Sequence, residues 1–538
     1  MTPRRLAIAA ACAVAALLAY AYASPYGTSN QQTYLLEPLA RAFPTLYRRD
    51  WFVTQVHHYN DVFTWVTAPL YALDARGVVA FAIVQLVAMT ATYLLVFGVV
   101  ATVGDRARLA ICVALAGLLA LGGGRAMGGS YLFAGYLQPS SFAVIGWLVA
   151  LLAWVRDRPL AAGLALAAGG AFHLNYVVLG IGVFGAAELA CSGGRVNGRR
   201  LAALLAPSLV VLALYVPQMI ASSRSDEPDL ALRALVKFEF ARHFDPHLVR
   251  RWMYQLAAFA VVAWSLAPAE RSARLDRLLR FAIVATAACV AAVLVASIAL
   301  PVTRLFACRI APIALLASEI VALVGVVAIA GGAPAPSPRR LGVLAVALVV
   351  IVRQVFRFQP DFAPMLMVAF AGGALAAVLR RRWIVAALAG VLLALAINAR
   401  RAELADPPAF DDYESGVVRW ARTASAVDAV FLVPPYLGEF RLLARRAVVV
   451  DTKSPPMYMD EVVAWYRRVC AIVDANETEM ATFDDADTRW DALPADRFAA
   501  IARRFDADFV LLDKARSKAR LAAPIAFEDD GYVVYRAR

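Results

Sequence analysis

The sequence predicts a polytopic α-helical membrane protein of about 11–13 transmembrane helices, followed by a small C-terminal α/β domain. Three observations predict it. Of 538 residues, 62% are hydrophobic and 17% charged, against about half and a quarter in ordinary soluble domains. Apolar runs recur through residues 1–399 at lengths suited to a hydrocarbon core of about 30 Å. After residue 400 the pattern switches to short apolar runs alternating with amphipathic ones. This composition excludes a typical soluble enzyme, a disordered chain and a collagen. Six cysteines are too few for a disulfide scaffold. Cys12, Cys112, Cys191, Cys289 and Cys308 lie in or beside apolar segments, and Cys470 has no partner in its own region.

Residues 1–399 read as the multi-span domain. Its apolar runs fall near 6–23, 78–103, 109–122, 141–155, 159–173, 176–191, 201–221, 252–268, 281–300, 310–330, 341–352, 363–379 and 383–398. Arginines crowd alternate gaps: Arg4 and Arg5, Arg106 and Arg108, Arg156 and Arg158, Arg195 to Arg200, Arg271 to Arg280, Arg339 and Arg340, and Arg380 to Arg382. Short Arg-rich gaps mark the cytoplasmic side. The N-terminus is then cytoplasmic, and an odd number of spans puts residues 400–538 outside. The first run, with Ala21-Tyr22-Ala23 behind it, also fits a cleavable signal peptide. We read it as a retained span, because polytopic proteins seldom need a cleaved signal.

The formal net charge of +13 divides unevenly. Residues 1–399 carry 33 Lys+Arg against 16 Asp+Glu, and residues 400–538 carry 20 against 24. Only four basic residues are Lys, at 237, 453, 514 and 518. With so much Ala, this is the composition of a GC-rich bacterium, so Arg abundance alone is not a sign of anion binding. The expected location is the bacterial inner membrane, and no nucleic-acid partner is expected.

Two long outer loops, 24–77 and 222–251, differ from the cytoplasmic gaps. The first is rich in aromatic and polar groups and reads as one or two amphipathic helices along the outer interface. All five histidines, His57, His58, His173, His243 and His247, fall outside or near it. Residues 400–538 form the extracytoplasmic domain. DAVFLVP at 428–434, RAVVVD at 446–451, DFVLLD at 508–513 and YVVYR at 532–536 read as strands, with helices near 437–444, 459–473 and 494–505. Strands alternating with helices predict a largely parallel sheet. No GxGxxG, Walker loop or paired CxxC occurs in this domain.

Four groups of residues could carry chemistry. Glu37, Asp50 and Asp61 lie in the first loop, with His57 and His58 between them. Asp50, after Arg48-Arg49 and before Trp51-Phe52, is placed to act as a general base on an acceptor hydroxyl. It could equally help hold a divalent cation, Mg or Mn, against phosphate oxygens, or simply pair with a neighbouring Arg. Arg242, His243, Asp245 and His247 crowd FARHFDPHL, either as phosphate donors or metal ligands or as a solvated turn. Arg125, Arg304, Arg309, Arg353 and Arg357 lie outside or at membrane depth, where the positive-inside rule does not call for them. Bidentate contacts to a lipid-linked phosphate would explain them, as would snorkelling to headgroups. Glu319 is the lone acid deep in a span and a candidate to neutralise one of them. Phe172 to Tyr176, after Gly169 and Gly170, either breaks a helix to line a cavity or makes a polar hairpin turn.

Taken together, these features resemble the GT-C superfamily of integral membrane glycosyltransferases, and within it bacterial proteins of the DUF6798 type. The stretches that carry the likeness are Ser29-Asn30-Gln31 through Asp50-Trp51-Phe52, the RHFDPH segment, and VVRWARTASAVDAVFLVPPYLGEFRLLARRAVVVDTKSPP. The resemblance implies transfer of a sugar from a polyprenyl-phosphate-linked donor to a glycan, lipid or protein acceptor on the outer face. It places Asp50 as the catalytic acid of the first loop, with Asp61 second. His57, His58, His173, Arg242, His243, His247, Arg304, Arg309, Arg353 and Arg357 are then the candidate substrate-binding residues. The first loop lacks the adjacent acidic pair that many members carry. On this reading Asp50→Asn abolishes glycan transfer without reducing the folded protein. A transporter or flippase of a lipid or polysaccharide, and a non-catalytic scaffold, are the alternative readings. No internal repeat of the kind common in transporters is evident.

Overall fold

The computed structural model describes residues 3–104, 108–122, 126, 131–132, 134–193, 195, 197–236, 246–296, 298, 306–358, 363–399, 415–480 and 482–538. Among them each of the thirteen apolar runs is a helix. They are Pro3–Tyr22, Val78–Val103, Arg108–Gly122, Pro139–Val155, Pro159–Phe172, Leu174–Cys191, Gly198–Ser222, Pro246–Leu266, Ala273–Ala296, Ala311–Ala330, Pro338–Phe358, Ala363–Val378 and Arg382–Ala399. Five spans, Val78–Val103, Leu174–Cys191, Gly198–Ser222, Ala273–Ala296 and Ala307–Ala330, are long and apolar enough by themselves to cross a bilayer. Proline opens several of these helices at the position where its missing N–H costs nothing, as Pro139 and Pro159 show.

By their contacts the residues divide into two compact units. One comprises Met1–Ala23, Ile83–Tyr215 and Arg242–Pro408, and the other Ser24–Ala82, Val216–Ala241 and Ala409–Arg538. The first unit is the apolar helical bundle. Without a hydrophobic force between helices in lipid, close packing must hold them, and small residues permit it. A side chain on Gly146 would put its Cβ 2.6 Å from the Cα of Gly169. The helices Pro139–Val155 and Pro159–Phe172 thus touch backbone to backbone. Trp147, Trp154, Phe184 and Phe281 fill the space beside them as a tilted and edge-on aromatic cluster. Polar ties in this unit gather on arginines. Asp157, in the turn at 156–158, pairs with Arg277 at 2.7 Å and with Arg200. Glu188 pairs with Arg200 and accepts from Trp154 Nε1 at 2.7 Å. The helix Gly198–Ser222 shows the opposite face of the bundle's chemistry: Val210 is 62% and Leu214 76% exposed. In a bilayer such a surface meets hydrocarbon.

The second unit is built on a five-stranded sheet of order β2-β1-β3-β5-β4, with β1 Val430–Leu432, β2 Ala447–Val448, β3 Phe509–Asp513, β4 Ile525–Glu528 and β5 Tyr532–Arg536. β1 runs parallel to both β2 and β3, while β5 runs antiparallel to β3 and β4. The sequence predicts four of these strands. The fifth, β4, is half exposed along its length, so it lacks the apolar run that marks its neighbours. The helix Gly416–Ala424, capped by Ser415 Oγ accepting from Val418 N, lays Val417, Val418 and Ala421 on the sheet. There they meet Phe431, Phe440, Leu511 and Val534 in one buried core. The first loop adds five short helices, Gln31–Tyr34, Leu36–Ala42, Trp51–Gln55, Asp61–Thr67 and Leu70–Leu73, where its amphipathic pattern predicts one or two.

Candidate functional site

In the helical unit the break between the helices Pro159–Phe172 and Leu174–Cys191 falls at His173, in extended conformation. A Cβ on Gly170 would run into the side chain of Val177, so the chain folds back tightly around this residue. His173 is 5% exposed. Arg309, from the single 3-10 turn Ala307–Ile310, brings Nη1 to 2.8 Å from His173 Nε2. Its guanidinium also lies over the rings of Phe306 and Tyr176. A guanidinium can only donate, so Nε2 must be the acceptor and the imidazole proton must sit on Nδ1. That Nδ1 is buried and has no hydrogen-bond partner. A cationic group and an unanswered N–H donor therefore stand side by side. An anionic oxygen would satisfy both.

In the sheet-containing unit the first loop supplies a second set. Asp50 caps the helix Trp51–Gln55, its Oδ1 accepting from Val53 N at 3.0 Å. Its Oδ2 accepts from Val448 N at 3.0 Å and pairs with Arg441 Nε at 3.0 Å. Arg441 in turn pairs through Nη1 with Asp451 at 2.9 Å. All three side chains are at most 2% exposed. Burial raises the Asp50 carboxyl above its ordinary pKa, against the pull of Arg441 and of the Val448 and Val53 amides, while Asp451 pushes it further up. Two carboxylates thus share one guanidinium out of contact with water. Asp50 is fully buried, so an acceptor hydroxyl does not reach it in this arrangement. Its partner is also not an adjacent Arg: Arg49 instead binds Asp506 and Asp508.

The residues that follow are more open. His57 donates its backbone N–H to Glu461 Oε1 at 2.9 Å, and its ring Nδ1 contacts the same oxygen. The ring stacks on Tyr458 at 4.6 Å between centroids. His58 lies edge-on to Phe52. Gln218 binds the hydroxyl of Tyr458 and reaches the carbonyl of His58 at 3.5 Å. Asp61 opens the helix Asp61–Thr67 and is exposed, and Glu37 accepts from Thr64 Oγ1 at 2.9 Å to tie that helix to Leu36–Ala42.

Of the sequence-predicted residues, the structure therefore brings His173 together with Arg309, and His57 and His58 with Asp61. Arg353 and Arg357 stand exposed one turn apart on the helix Pro338–Phe358, as their spacing predicts. Arg125, Arg242, His243, Asp245 and Arg304 lie outside the described residues, as does the side chain of His247. Glu319 pairs with no arginine among the described residues: it lines an apolar cavity of about 540 Å³, with Arg380 also on its wall, between the helices Pro246–Leu266, Ala311–Ala330, Pro338–Phe358, Ala363–Val378 and Arg382–Ala399. Among the described residues no three His, Cys, Asp or Glu side chains converge as metal ligands. With Asp50 occupied by Arg441 and two amides, the donor set does not suit a Mg or Mn ion there. Sequence reasoning misses Arg441, Asp451, Tyr458, Glu461, Asn60 and Gln218. The polar density of His57 to Asp61 was the one signal nearby.

Residues 414–472 match the family profile DUF6798, a domain of unknown function. No curated protein matches the chain in sequence. Among solved structures, the fold is similar to that of ArnT from Cupriavidus metallidurans in the apo state, at 15% identity and a TM-score of 0.50, covering 99% of this chain and 97% of that one. The same protein bound to undecaprenyl phosphate gives 16% identity and a TM-score of 0.44 over the same shares. ArnT is a GT-C glycosyltransferase. The chain therefore has an ArnT-like fold: a helical part with helices long and apolar enough to cross a membrane, and a small sheet-containing domain.

Proposed function

We propose that a chain with this fold is a membrane glycosyltransferase of the bacterial inner membrane, moving a sugar from a polyprenyl-phosphate-linked donor to an acceptor hydroxyl on the outer face. The fold supports the class, and one observation in this chain carries the reading: the buried pairing of Arg309 with His173, which leaves His173 Nδ1–H without an acceptor. Phosphate oxygens answer that arrangement better than any neutral group.

The remaining roles follow from the chemistry of the transfer. A general base takes the proton of the acceptor hydroxyl. The acceptor oxygen then forms its bond to the anomeric carbon. The bond from that carbon to the phosphate oxygen breaks, and its electron pair leaves on the polyprenyl phosphate. Arg309 stabilises the charge that develops there. Arg353 and Arg357 add positive potential for an anionic donor.

The test is transfer by the full chain in proteoliposomes supplied with labelled polyprenyl-phosphate sugars. Arg309→Gln should raise the donor KM and weaken binding of polyprenyl phosphate itself. Wild-type protein that transfers no sugar from any such donor, or Arg309→Gln protein that binds polyprenyl phosphate as tightly as the parent, would overturn the reading.

A further inference from the structure

Around the turn from His57 to Asp61, buried polar atoms without partners collect in one place. Asn60 is 8% exposed, and its Oδ1 is buried without a hydrogen-bond partner. Asn at this position ordinarily caps the helix that follows, yet Asn60 makes no side-chain cap to Asp61–Thr67. Glu461 spends Oε1 on His57, while its Oε2 is buried and unpartnered. His58 Nε2 is a third such atom. The three are joined through a documented frame: Glu461 to His57, His57 stacked on Tyr458, Tyr458 to Gln218, and Gln218 to the His58 carbonyl.

Buried polar atoms in native proteins are paired in nine cases of ten or more, so three unpaired ones within a single turn and its neighbour point to a missing occupant. Its chemistry can be read from what is unanswered. Asn60 Oδ1 and Glu461 Oε2 can only accept, so the occupant must bring at least two donors. His58 Nε2 suits either sense, as a hydroxyl does. The aromatic face of Tyr458 and the ring of His57 sit alongside, a surface on which a pyranose ring can rest. The converging metal ligands that would favour a cation are not present among the described residues.

We infer that Asn60, His58 and Glu461 form a saccharide-binding subsite, and that it receives the hydroxyl-bearing acceptor beside Asp61. The second half of that statement rests on the transferase reading above; the first does not. Glu461 has a double part: it orients His57 through Oε1 and receives a sugar hydroxyl through Oε2. Tyr458 and Gln218 are positioning residues that hold the turn against it.

The experiment uses the full chain in lipid nanodiscs. Methyl glycosides of glucose, galactose, mannose, arabinose and N-acetylglucosamine are titrated in turn, with binding followed by saturation-transfer NMR. At least one should bind, and Glu461→Gln and Asn60→Leu, which nearly keep shape and volume but remove an acceptor, should each weaken it about tenfold, the worth of one hydrogen bond to a charged or buried group. If none of the five binds, or if binding is unchanged in both variants, water fills the cluster and the inference is wrong. Glycoside binding by a protein that transfers no sugar would leave the subsite standing and remove the transferase reading. Transfer without glycoside binding would do the reverse.

Discussion

Arg441 is the side chain on which the charge balance of the sheet-containing unit turns. It pairs with both Asp50 and Asp451, and Arg468 adds a more distant positive charge near Asp50. Removing it leaves two buried carboxylates without their ion pair, so Arg441→Ala is expected to cost about 3–5 kcal/mol. A thermal melt of the full chain in detergent reads this directly, and an unchanged midpoint would contradict the assignment. Asp50→Asn belongs to the same network. It should lower the amount of folded protein in the membrane, which differs from the purely catalytic outcome that the sequence suggests. Asp487 gives a test through pH. Burial, helped by Asp491 and Asp484 and opposed by Arg516, raises its carboxyl to about 6. The folded state then binds a proton more tightly than the unfolded one between the ordinary carboxylate range and pH 6. Stability from this group is present at low pH and falls as pH rises through that window. Asp487→Asn should therefore raise the melting temperature at pH 7 and leave it unchanged near pH 4. The sequence singles out Asp50 between Arg48-Arg49 and Trp51-Phe52, but it carries no sign of the capping role or of the Arg441 that pairs with it.

At the level of elements, the helices were the most legible part of the chain. Every apolar run became one, because a lipid-facing segment must satisfy its backbone internally and helix is the available answer. Boundaries moved by a few residues where charged or proline residues extend the apolar core, as at Pro246–Leu266 and Pro338–Phe358. Strand β4 escaped notice because half-exposed residues break the pattern that strands are recognised by. Contacts between elements were not legible either. The glycines at 146 and 169 read only as small residues in apolar runs, yet their backbones meet. Gly146→Leu should force the helices Pro139–Val155 and Pro159–Phe172 apart and cost about 1–3 kcal/mol. The expected readout is a lower melting temperature with unchanged helical content by circular dichroism. A variant as stable as the parent would mean that this crossing is soft.

For the molecule as a whole, the sequence separates an apolar part from a polar C-terminal part, and the contacts group the chain differently. The first outer loop and residues 216–241 belong with the C-terminal domain, because their polar faces pair with it. Asp50 to Val448, Tyr47 to Arg441 and Glu227 to Arg467 are such pairs. No local pattern can announce them, since each joins residues hundreds of positions apart. The same is true of His57 with Glu461. His173 with Arg309 is the corresponding case in the helical unit, where both residues stood out singly and only the fold joined them. That spacing also sets an order in time. Asp50 and its amide partner Val448 are 398 residues apart, and a ribosome needs roughly 20–80 s to cover that distance at about 5–20 residues per second. For that interval the first loop is already made while the strand that neutralises it has yet to be synthesised. The charged helix start around Asp50 must wait in water, hydrated and unpaired, and the unit closes only after its last strands arrive. The sheet-containing unit thus closes only once its late strands are made, and a chain interrupted before Val448 leaves the earliest loop without its partner.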